Sequence, residues 1–331
     1  MNSPIVPLTF VFALLIILPL RSNATVLPIR MADKFILIEG TADDVTGYFV
    51  LDTGASGLIL NARYFRSKSY SGLTAFGVNG EPAKVETLYV DFELREEKWK
   101  GQQAALIPLD YLEVAKDVEI LGLVGGDLFW KYEMLIDFEK MEVHLQRAGK
   151  GGESLLESLD FDAVLPMSLK AGMPCMEVGM GNKNYILGLD TASEDNMISR
   201  NRRDELEPWL SDRGTKFFRG ISREISEVES GYLSSVRIGD SFCGPMSTLF
   251  TDLSGINWNF SGPNIDGILG FELLRQYRVA INFKNKVIAL SPYRTSILMD
   301  LVSKGAGPRD STLRRQPGTP VLLPAQHDRN H

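Results

Sequence analysis

Histidine is scarce in this chain, and its scarcity excludes two kinds of active site. Only three of the 331 residues are histidines, and two of them, His327 and His331, lie in a polar C-terminal stretch. A serine or cysteine triad would have to depend on His144 alone, and a zinc site built from several histidines cannot be assembled. His144 stands in the alternating sequence Met141 to Leu145, a pattern that predicts a surface position on a strand. Any chemistry in the body of the chain is therefore expected from carboxylates, without a metal.

Blocks of basic residues are also missing from the body of the sequence. The chain has 35 Lys and Arg against 42 Asp and Glu, which gives a net charge of −7. Binding to a phosphate backbone depends on clustered cations, so we expect no nucleic-acid partner. The glycine-rich stretch Gly122 to Gly126 lacks the Lys and the Ser or Thr that complete a phosphate-binding loop, and we expect no cofactor.

The two ends of the sequence predict export and disorder. An apolar run from Val6 to Leu20 is followed by Ser22-Asn23-Ala24, small residues of the type that signal peptidase requires. We predict a signal peptide at residues 1–24 and a periplasmic or secreted mature protein that does not associate with a membrane. Because no Lys or Arg precedes the apolar run, an uncleaved membrane anchor is the alternative. Residues 296–331 are predicted to form a disordered tail.

The two cysteines, Cys175 and Cys243, leave two interpretations open. An even number of cysteines in an exported protein permits a disulfide. The spacing does not show that the two residues meet, so two separate buried thiols fit the sequence equally well.

One segment of the sequence occurs twice, with the second copy 145 residues after the first. Each copy has a short apolar strand that ends in Gly, a single amphipathic helical turn that ends in Tyr, and an alternating strand followed by a turn. The copies run from Gly122 to Leu145 and from Gly267 to Leu290. Such self-similarity is the sequence signature of a duplicated unit. We predict a β-α-β unit in each half of the protein.

A second shared element precedes each copy and completes the predicted fold. Phe49 to Leu60 matches Leu187 to Ile198 without a gap, and in both segments an apolar strand leads into an Asp-Thr pair at a tight turn. We predict a mainly β fold of two similar β-barrel-like lobes related by pseudo-twofold symmetry. The predicted bounds are 25–148 for the N-terminal lobe, 149–170 for the interlobe linker and 171–295 for the C-terminal lobe. Short helices are predicted at 61–68, 109–116 and 200–210.

The duplicated Asp-Thr turns point to acid–base chemistry by paired carboxylates. A single Asp at the end of an apolar strand is more often a capped turn than a catalyst. If the lobes pack about a twofold axis through these turns, Asp52 and Asp190 face each other and share one proton. One carboxyl can then act as a base toward water while the other acts as an acid toward a carbonyl oxygen, with two apparent pKa values for the pair.

These motifs resemble those of the aspartic peptidases of the pepsin and retropepsin type. The family pattern is an apolar-apolar-Asp-Thr-Gly-Ala/Ser turn followed later by an apolar-apolar-Gly segment. Asp52-Thr53-Gly54-Ala55-Ser56 matches the first part, and the segments that end at Gly122 and Gly270 match the second, which in the family crosses behind the Asp turn. The resemblance covers essentially the whole mature body, and it implies the bilobal fold of that family.

The resemblance also implies roles for individual residues. Asp52 and Asp190 correspond to the catalytic pair, Thr53 and Thr191 to residues that bridge the turns by hydroxyl-to-backbone hydrogen bonds, and Ser56 to a donor toward the outer oxygen of Asp52. The residues expected to support the pair are Thr53, Gly54, Ser56, Thr191 and Ala192. The residues expected in a flap that closes over an extended peptide are Phe76, Gly77, Val78, Asn79 and Gly80, with 217–222 as its counterpart.

The second turn departs from the family pattern. Ala192 stands where Gly is expected, so a Cβ enters a place where two turns approach closely, and Glu194 and Asp195 add negative charge that disfavours ionisation of the pair. We predict a monomeric aspartic endopeptidase that acts on peptides or unfolded proteins. The alternative is a catalytically inactive protein that binds an extended peptide on the same scaffold.

Overall fold

A computed structural model describes residues 24–66, 73–76, 82–149, 154–219, 225–259 and 261–293. Strands dominate, and they form two similar lobes, which confirms the predicted fold class. The strands of the first lobe and its flank are β1 (Thr25–Pro28), β2 (Arg30–Ala32), β3 (Phe35–Ala42), β4 (Val45–Asp52), β5 (Leu58–Asn61), β6 (Leu73–Phe76), β7 (Pro82–Leu94), β8 (Glu97–Ile107), β9 (Gly122–Gly125), β10 (Tyr132–Asp137) and β11 (Glu142–Arg147).

The second half repeats this order of elements. Its strands are β12 (Ala163–Pro166), β13 (Ser168–Lys170), β14 (Met173–Met180), β15 (Lys183–Leu189), β16 (Asn196–Ser199), β17 (Leu210–Arg219), β18 (Ile225–Leu233), β19 (Val236–Ile238), β20 (Ser241–Cys243), β21 (Met246–Thr251), β22 (Gly267–Leu269), β23 (Tyr277–Asn282) and β24 (Val287–Pro292). The α-helices are α1 (Asp110–Lys116), α2 (Arg203–Leu206), α3 (Ser254–Asn259) and α4 (Phe271–Leu274), and 3-10 helices lie at Gly126–Phe129, Arg200–Arg202 and Glu207–Trp209.

The N-terminal lobe is an eight-stranded sheet in the order β2-β3-β4-β9-β5-β8-β7-β6, and an extra pairing of β3 with β7 curls it on itself. The last four residues of β4 are all buried, as expected for an apolar strand covered on both faces. β4 lies parallel to β9, with Asp52 beside Gly125. The sheet therefore delivers Asp52 to the end of a central strand.

The C-terminal lobe places Asp190 in the equivalent position. Its sheet has the order β17-β18-β21-β16-β22-β15-β14-β19-β20, with β13 added on β14. β15 lies parallel to β22, and Leu189 pairs with Leu269. Asp190 follows directly after this central strand, as Asp52 ends β4.

A third sheet joins the lobes and contains strands from both, in the order β1-β11-β10-β23-β24-β12. β10 and β23 are the corresponding strands of the two repeat copies, and they pair antiparallel in its centre. Leu135 and Ala280 occupy the same position in the two copies and are paired with each other, so the pseudo-twofold axis passes between them. The rings of Phe129 and Phe283 pack across the junction with centroids 6.3 Å apart, and one buried apolar cluster includes residues of both lobes.

Part of the segment predicted as linker is built into the sheets. β12 forms the edge of the interlobe sheet against β24, and β13 pairs with β14. The predicted tail and, apart from Ala24, the predicted signal peptide lie outside the described residues. Within the described part of the chain, none of the helices has the length and apolar character needed to cross a membrane.

Two of the three predicted short helices are present, at α1 and in the turns from Arg200 to Trp209. The prediction of a helix at 61–68 is wrong for its described part, because Asn61 ends β5 and 62–64 form a turn. The side-chain Oδ1 of Asn61 accepts hydrogen bonds from the N–H groups of Arg63 and Leu109, both at 3.1 Å. This asparagine satisfies backbone donors locally and so competes with helix formation. His144 lies on β11, partly buried, with Nε2 2.9 Å from Glu142 Oε2.

The cysteines are separate buried thiols, which decides between the two interpretations of the sequence. Cys175 Sγ lies 3.5 Å from the carbonyl oxygen of Met173, and Cys243 Sγ lies 2.9 Å from the hydroxyl of Tyr277. Burial raises the pKa of Cys175 to about 12, so this thiol is unreactive as a nucleophile at neutral pH.

Candidate active site

The two Asp-Thr turns meet at the junction of the lobes. Each follows a central strand, and in each lobe a glycine of the neighbouring strand region lets the chains cross closely behind the turn. A Cβ at Gly125 would lie 2.3 Å from the carbonyl oxygen of Gly57, and a Cβ at Gly270 would lie 2.4 Å from that of Ser193. These are the glycines of the repeated segment, so the duplicated motif serves the same packing in both lobes.

Reciprocal hydrogen bonds between Thr53 and Thr191 hold the turns together. The N–H of Thr53 donates to the hydroxyl of Thr191 at 3.0 Å, and the N–H of Thr191 donates to the hydroxyl of Thr53 at 3.1 Å. Each hydroxyl then donates across the junction, from Thr53 to the carbonyl of Leu189 and from Thr191 to that of Leu51, both at 2.6 Å. Both threonines are fully buried. The predicted hydroxyl-to-backbone bridge is present in both directions.

This frame brings the carboxyl groups of Asp52 and Asp190 close enough together that each shifts the pKa of the other. Asp52 is buried, and Asp190 keeps partial access to solvent. The backbone of Gly54 lies so close to the second carboxyl that a Cβ there would be 2.5 Å from Asp190 Cγ. The glycine of the first turn is thus required by space, because Asp190 occupies the volume that a side chain would take.

Burial raises the pKa of both carboxyls, and the charge of Asp190 raises the pKa of Asp52 further. Hydrogen bonds from the N–H groups of Gly54 and Ala55 to Asp52 Oδ1, at 3.0 and 2.9 Å, act in the opposite direction. Ala192 N–H donates similarly to Asp190 Oδ1 at 2.8 Å. Two neighbouring carboxyls with raised pKa values share a single proton between their two ionisation steps.

The second turn accommodates Ala192 without strain. Neither Ala192 nor its counterpart Gly54 lies in the left-handed region of the backbone, so glycine is not needed there for conformation. The methyl group of Ala192 packs against an apolar cluster of the N-terminal lobe that includes Phe35, Val50 and Ile59. The sequence-based concern that this Cβ would prevent close approach of the turns is therefore not supported by the packing.

Further along, the second turn follows a different path from the first. Gly57 has φ of +69° and its carbonyl accepts from Gly125 N at 2.7 Å, whereas Asp195, at the matching position, is outside the left-handed region. The N–H of Gly270 instead donates to the side-chain Oδ1 of Asn196 at 2.9 Å. The changed sequence supplies a side-chain acceptor where the first turn uses a backbone carbonyl.

Lysines lie beside the additional acids of the second turn. Lys116 Nζ is 2.8 Å from Glu194 Oε1, and Lys216 Nζ is 3.1 Å from Asp195 Oδ1. Lys34 Nζ lies 3.6 Å from the same Asp195 oxygen. Burial acts to raise the pKa of Asp195, but Lys34, Lys216 and a hydrogen bond from Ser247 more than offset it, so this pKa is lowered. The expected excess of negative charge at the second turn is thereby neutralised.

Ser56 makes a different contact from the one predicted. Its hydroxyl donates to the carbonyl oxygen of Ala171 at 2.6 Å, across the lobe junction, so it does not serve Asp52. Ala171 lies in the turn between β13 and β14, where it is at positive φ. The role of Ser56 in this chain is to fasten the first turn to the opposite lobe.

The hairpins predicted to cover the site are present as paired strands. β6 pairs with β7, with Phe76 opposite Pro82, but Gly77, Val78, Asn79 and Gly80 lie outside the described residues. In the second lobe β17 pairs with β18 up to Arg219 opposite Ile225. Because Lys216 on β17 reaches Asp195, this second hairpin adjoins the turn that carries Asp190.

Sequence reasoning missed Lys34, Asn196 and Lys216. Charged residues are common on surfaces, so a lone lysine carries no signal of its position. One hint was available, because the repeat has an acid at the same place in both copies, Asp127 and Glu272. Among the residues that the structure describes, no group of three or more His, Cys, Asp and Glu side chains is arranged to hold a metal ion.

No family model matches this chain, and no curated protein matches it. Among solved structures, it is similar to the crystal structure of basic 7S globulin from soybean, with 9% sequence identity and a TM-score of 0.48. The match covers 81% of this chain and 95% of the globulin chain.

Proposed function

We propose that this protein is an aspartic endopeptidase in which Asp52 and Asp190 activate water against a peptide bond. The observation that supports this most directly is the proximity of two carboxyls, one buried and one partly exposed, whose pKa values are both raised. An isolated structural Asp at a turn needs no such partner. A pair that holds one proton at mildly acidic pH supplies a base and an acid at the same place.

The environments of the two carboxyls suggest which one acts as the acid and which one acts as the base. Asp52 is buried whereas Asp190 keeps partial access to solvent, and burial disfavours a charge, so the shared proton is assigned to Asp52 and the charge to Asp190. Asp190 would take a proton from water as the water oxygen bonds to the carbonyl carbon, and Asp52 would give its proton to the carbonyl oxygen. When the C–N bond then breaks, the amine takes the proton from Asp190, and Asp52 recovers one from the diol.

An extended peptide is the proposed substrate, because each lobe carries a hairpin of paired strands. The β17–β18 hairpin adjoins the second turn through Lys216, and β6 of the other hairpin lies against α3 of the opposite lobe. One chain supplies both Asp turns, so we propose that the protein acts as a monomer, and that it does so after export. Sedimentation of the mature protein tests the first of these proposals.

The decisive experiment is cleavage of an unstructured peptide mixture by the mature protein from mildly acidic to neutral pH. We expect cleavage by the parent and a loss of about a thousandfold or more in Asp52→Asn and in Asp190→Asn, because neither variant retains both an acid and a base. Asp240→Asn, which changes an exposed Asp in the same way, is the matched control.

Two results would count against the proposal. Equal cleavage by the parent and by both Asn variants would assign the activity to another site or to a contaminant. A folded parent that binds peptide but cleaves none over this pH range would support the peptide-binding alternative.

A further inference from the structure

The ammonium group of Lys34 bridges the lobes at the second turn. Lys34 lies in the turn between β2 and β3 of the N-terminal lobe, and its Nζ is 2.9 Å from Glu272 Oε1 and 3.3 Å from the carbonyl oxygen of Glu194. Asp195 Oδ1 lies 3.6 Å away. All three acceptors belong to the C-terminal lobe. Glu194 and Asp195 follow Asp190 by four and five positions, so this single cation contacts the turn that carries Asp190.

This lysine also connects the turn to the helix behind it. Glu272 is on α4, and the N–H of Phe271 at the start of that helix donates to the carbonyl of Ser193 at 2.8 Å. The second turn is therefore bound both to α4 and to Lys34. A cation that hydrogen-bonds both the turn backbone and α4 fixes the position of one relative to the other.

The groups around Lys34 are partly buried, which strengthens their interaction. The side-chain exposures are 27% for Lys34, 17% for Asp195 and 11% for Glu272. Burial acts to lower the pKa of Lys34, but the hydrogen bond to Glu272 and the charges of Asp195, Glu272 and Glu194 more than offset it, so the pKa is raised. Solvent screens such groups less than it screens exposed ion pairs.

The first turn has no equivalent of this arrangement. Its counterpart of Lys34 is Gly172, and its counterpart of Glu272 is Asp127, whose carboxylate lies against Gly172. Within the described residues no ion pair involves Asp127, and burial raises its pKa. The first turn is instead fastened by the bond from Ser56 to Ala171, a contact that Glu194 cannot make at the matching position of the second turn.

We propose that Lys34 is a positioning residue for the Asp52–Asp190 pair, which holds the second turn against the N-terminal lobe so that Asp190 stays beside Asp52. This inference rests on the proposed function for its catalytic consequence. The other charged groups that face the cluster are Lys116 beside Glu194 and Asp33, Lys216 beside Asp195, and Arg275 beside Glu272. Lys34 is distinguished from them because it alone contacts both the turn backbone and α4 from the opposite lobe in the described structure.

The test compares Lys34→Met with Lys34→Arg in peptide cleavage. We expect Lys34→Met to lower kcat by about tenfold to a hundredfold with little change in KM, because a small misplacement of a reacting group has a cost of this order. Loss of this positive charge raises the pKa of the nearby carboxyl groups, so the pH–rate profile shifts to higher pH. Lys34→Arg should restore most of the rate and the profile. Lys98→Met, at the exposed Lys98–Glu93 pair, is the matched control and should alter neither.

A second measurement does not depend on activity. The carboxyl carbons of Asp52 and Asp190 are titrated by NMR in the parent and in each Lys34 variant. We expect the titration of the pair to change in Lys34→Met and to return toward that of the parent in Lys34→Arg. Lys34→Gln, which keeps a donor without the charge, replaces Lys34→Met if thermal unfolding shows that the latter is not folded.

The outcomes separate the two proposals. If the folded parent cleaves no peptide, the proposed function fails, and the titration alone decides the role of Lys34. If the pair titrates identically in the parent and in folded Lys34→Met or Lys34→Gln, the positioning role is overturned whether or not the protein is an enzyme. A loss of rate that Lys34→Arg does not restore, with an unchanged pH profile, also overturns it.

Discussion

The first and second Asp-Thr turns share an inner frame and differ in their outer contacts. In both, a threonine hydroxyl accepts from one backbone N–H and donates to a carbonyl of the other lobe, with closely matching distances. Outside this frame the first turn uses Ser56 and backbone carbonyls, while the second uses Ala192, Asn196 and ion pairs to lysines.

The comparison shows that divergence of a duplicated motif does not by itself indicate decay. Three of the substitutions in the second turn have partners elsewhere in the fold. Ala192 packs on apolar residues, Glu194 pairs with Lys116, and Asp195 pairs with Lys216 and Lys34.

The most severe test of this comparison exchanges the small residues of the two turns. Gly54→Ala places a methyl group in the volume of the Asp190 carboxyl, so we expect peptide cleavage to fall by about a hundredfold or more. Ala192→Gly removes a methyl that has room, and should leave the rate nearly unchanged while lowering stability by about 0.5–1 kcal/mol. Cleavage rates and urea unfolding measure both. If Ala192→Gly raised the rate strongly, Ala192 would be an impairment and not an accommodated change.

The shared frame predicts equal effects in the two turns. Thr53→Val and Thr191→Val each remove a hydroxyl that serves two buried backbone groups. At about 1–3 kcal/mol for each of the two orphaned groups, we expect each variant to lose about 2–6 kcal/mol of unfolding free energy. Urea denaturation measures the loss. Clearly unequal losses would show that the two threonines, despite their matching distances, do not contribute equally.

The carboxyl pair should make stability depend on pH in a defined direction. Because the folded pKa values are raised above the ordinary value of 3.8, the native state binds more protons than the unfolded state from about that pH up to the raised values. This contribution is present at low pH and is lost as pH rises through the folded pKa values. Asp52→Asn should therefore be more stable than the parent at neutral pH, and the difference should shrink on acidification.

Asp190→Asn is compared with Asp52→Asn and with the parent. Urea unfolding at several pH values measures the stability of all three. We expect the smaller gain for Asp190→Asn, because Asp190 keeps partial access to solvent whereas Asp52 is buried. A larger gain for Asp190→Asn would reverse the assignment of the shared proton.

The smallest expected effect is at the outer contact of the first turn. Ser56→Ala removes one hydrogen bond to Ala171 and should cost about 0.5–1.5 kcal/mol in unfolding free energy, with little change in the titration of Asp52. Urea unfolding measures the change in unfolding free energy, and NMR titration measures the pKa of Asp52. A marked change in the pKa of Asp52 would support the Ser56–Asp52 contact that the family resemblance implies and that the structure does not show.

Features encoded in local sequence were predictable. The repeat from Gly122 and Gly267, the gapless match of the Asp-Thr segments, and the mainly β, two-lobed fold follow from apolar patterns and glycines, which act over a few residues. The prediction of a helix at 61–68 was wrong for its described part, because Asn61 satisfies backbone donors with its side chain.

Contacts between distant segments were not predictable from a single sequence. β12 and β13 are short strands that exist only because β24 and β14 offer them partners. The family resemblance implies a hydrogen bond from Ser56 to Asp52, but the hydroxyl of Ser56 donates instead to the carbonyl oxygen of Ala171 in the opposite lobe.

By itself, the sequence determined the duplicated strands and the two Asp-Thr turns, because these depend on residue type and on spacing along the chain. Only the tertiary structure decided that Cys175 and Cys243 stay apart, that Ala192 finds room, and that Lys34 crosses to the second turn. Those outcomes depend on which surfaces of the two lobes face each other, and burial at that junction is what shifts the pKa values of Asp52 and Asp190.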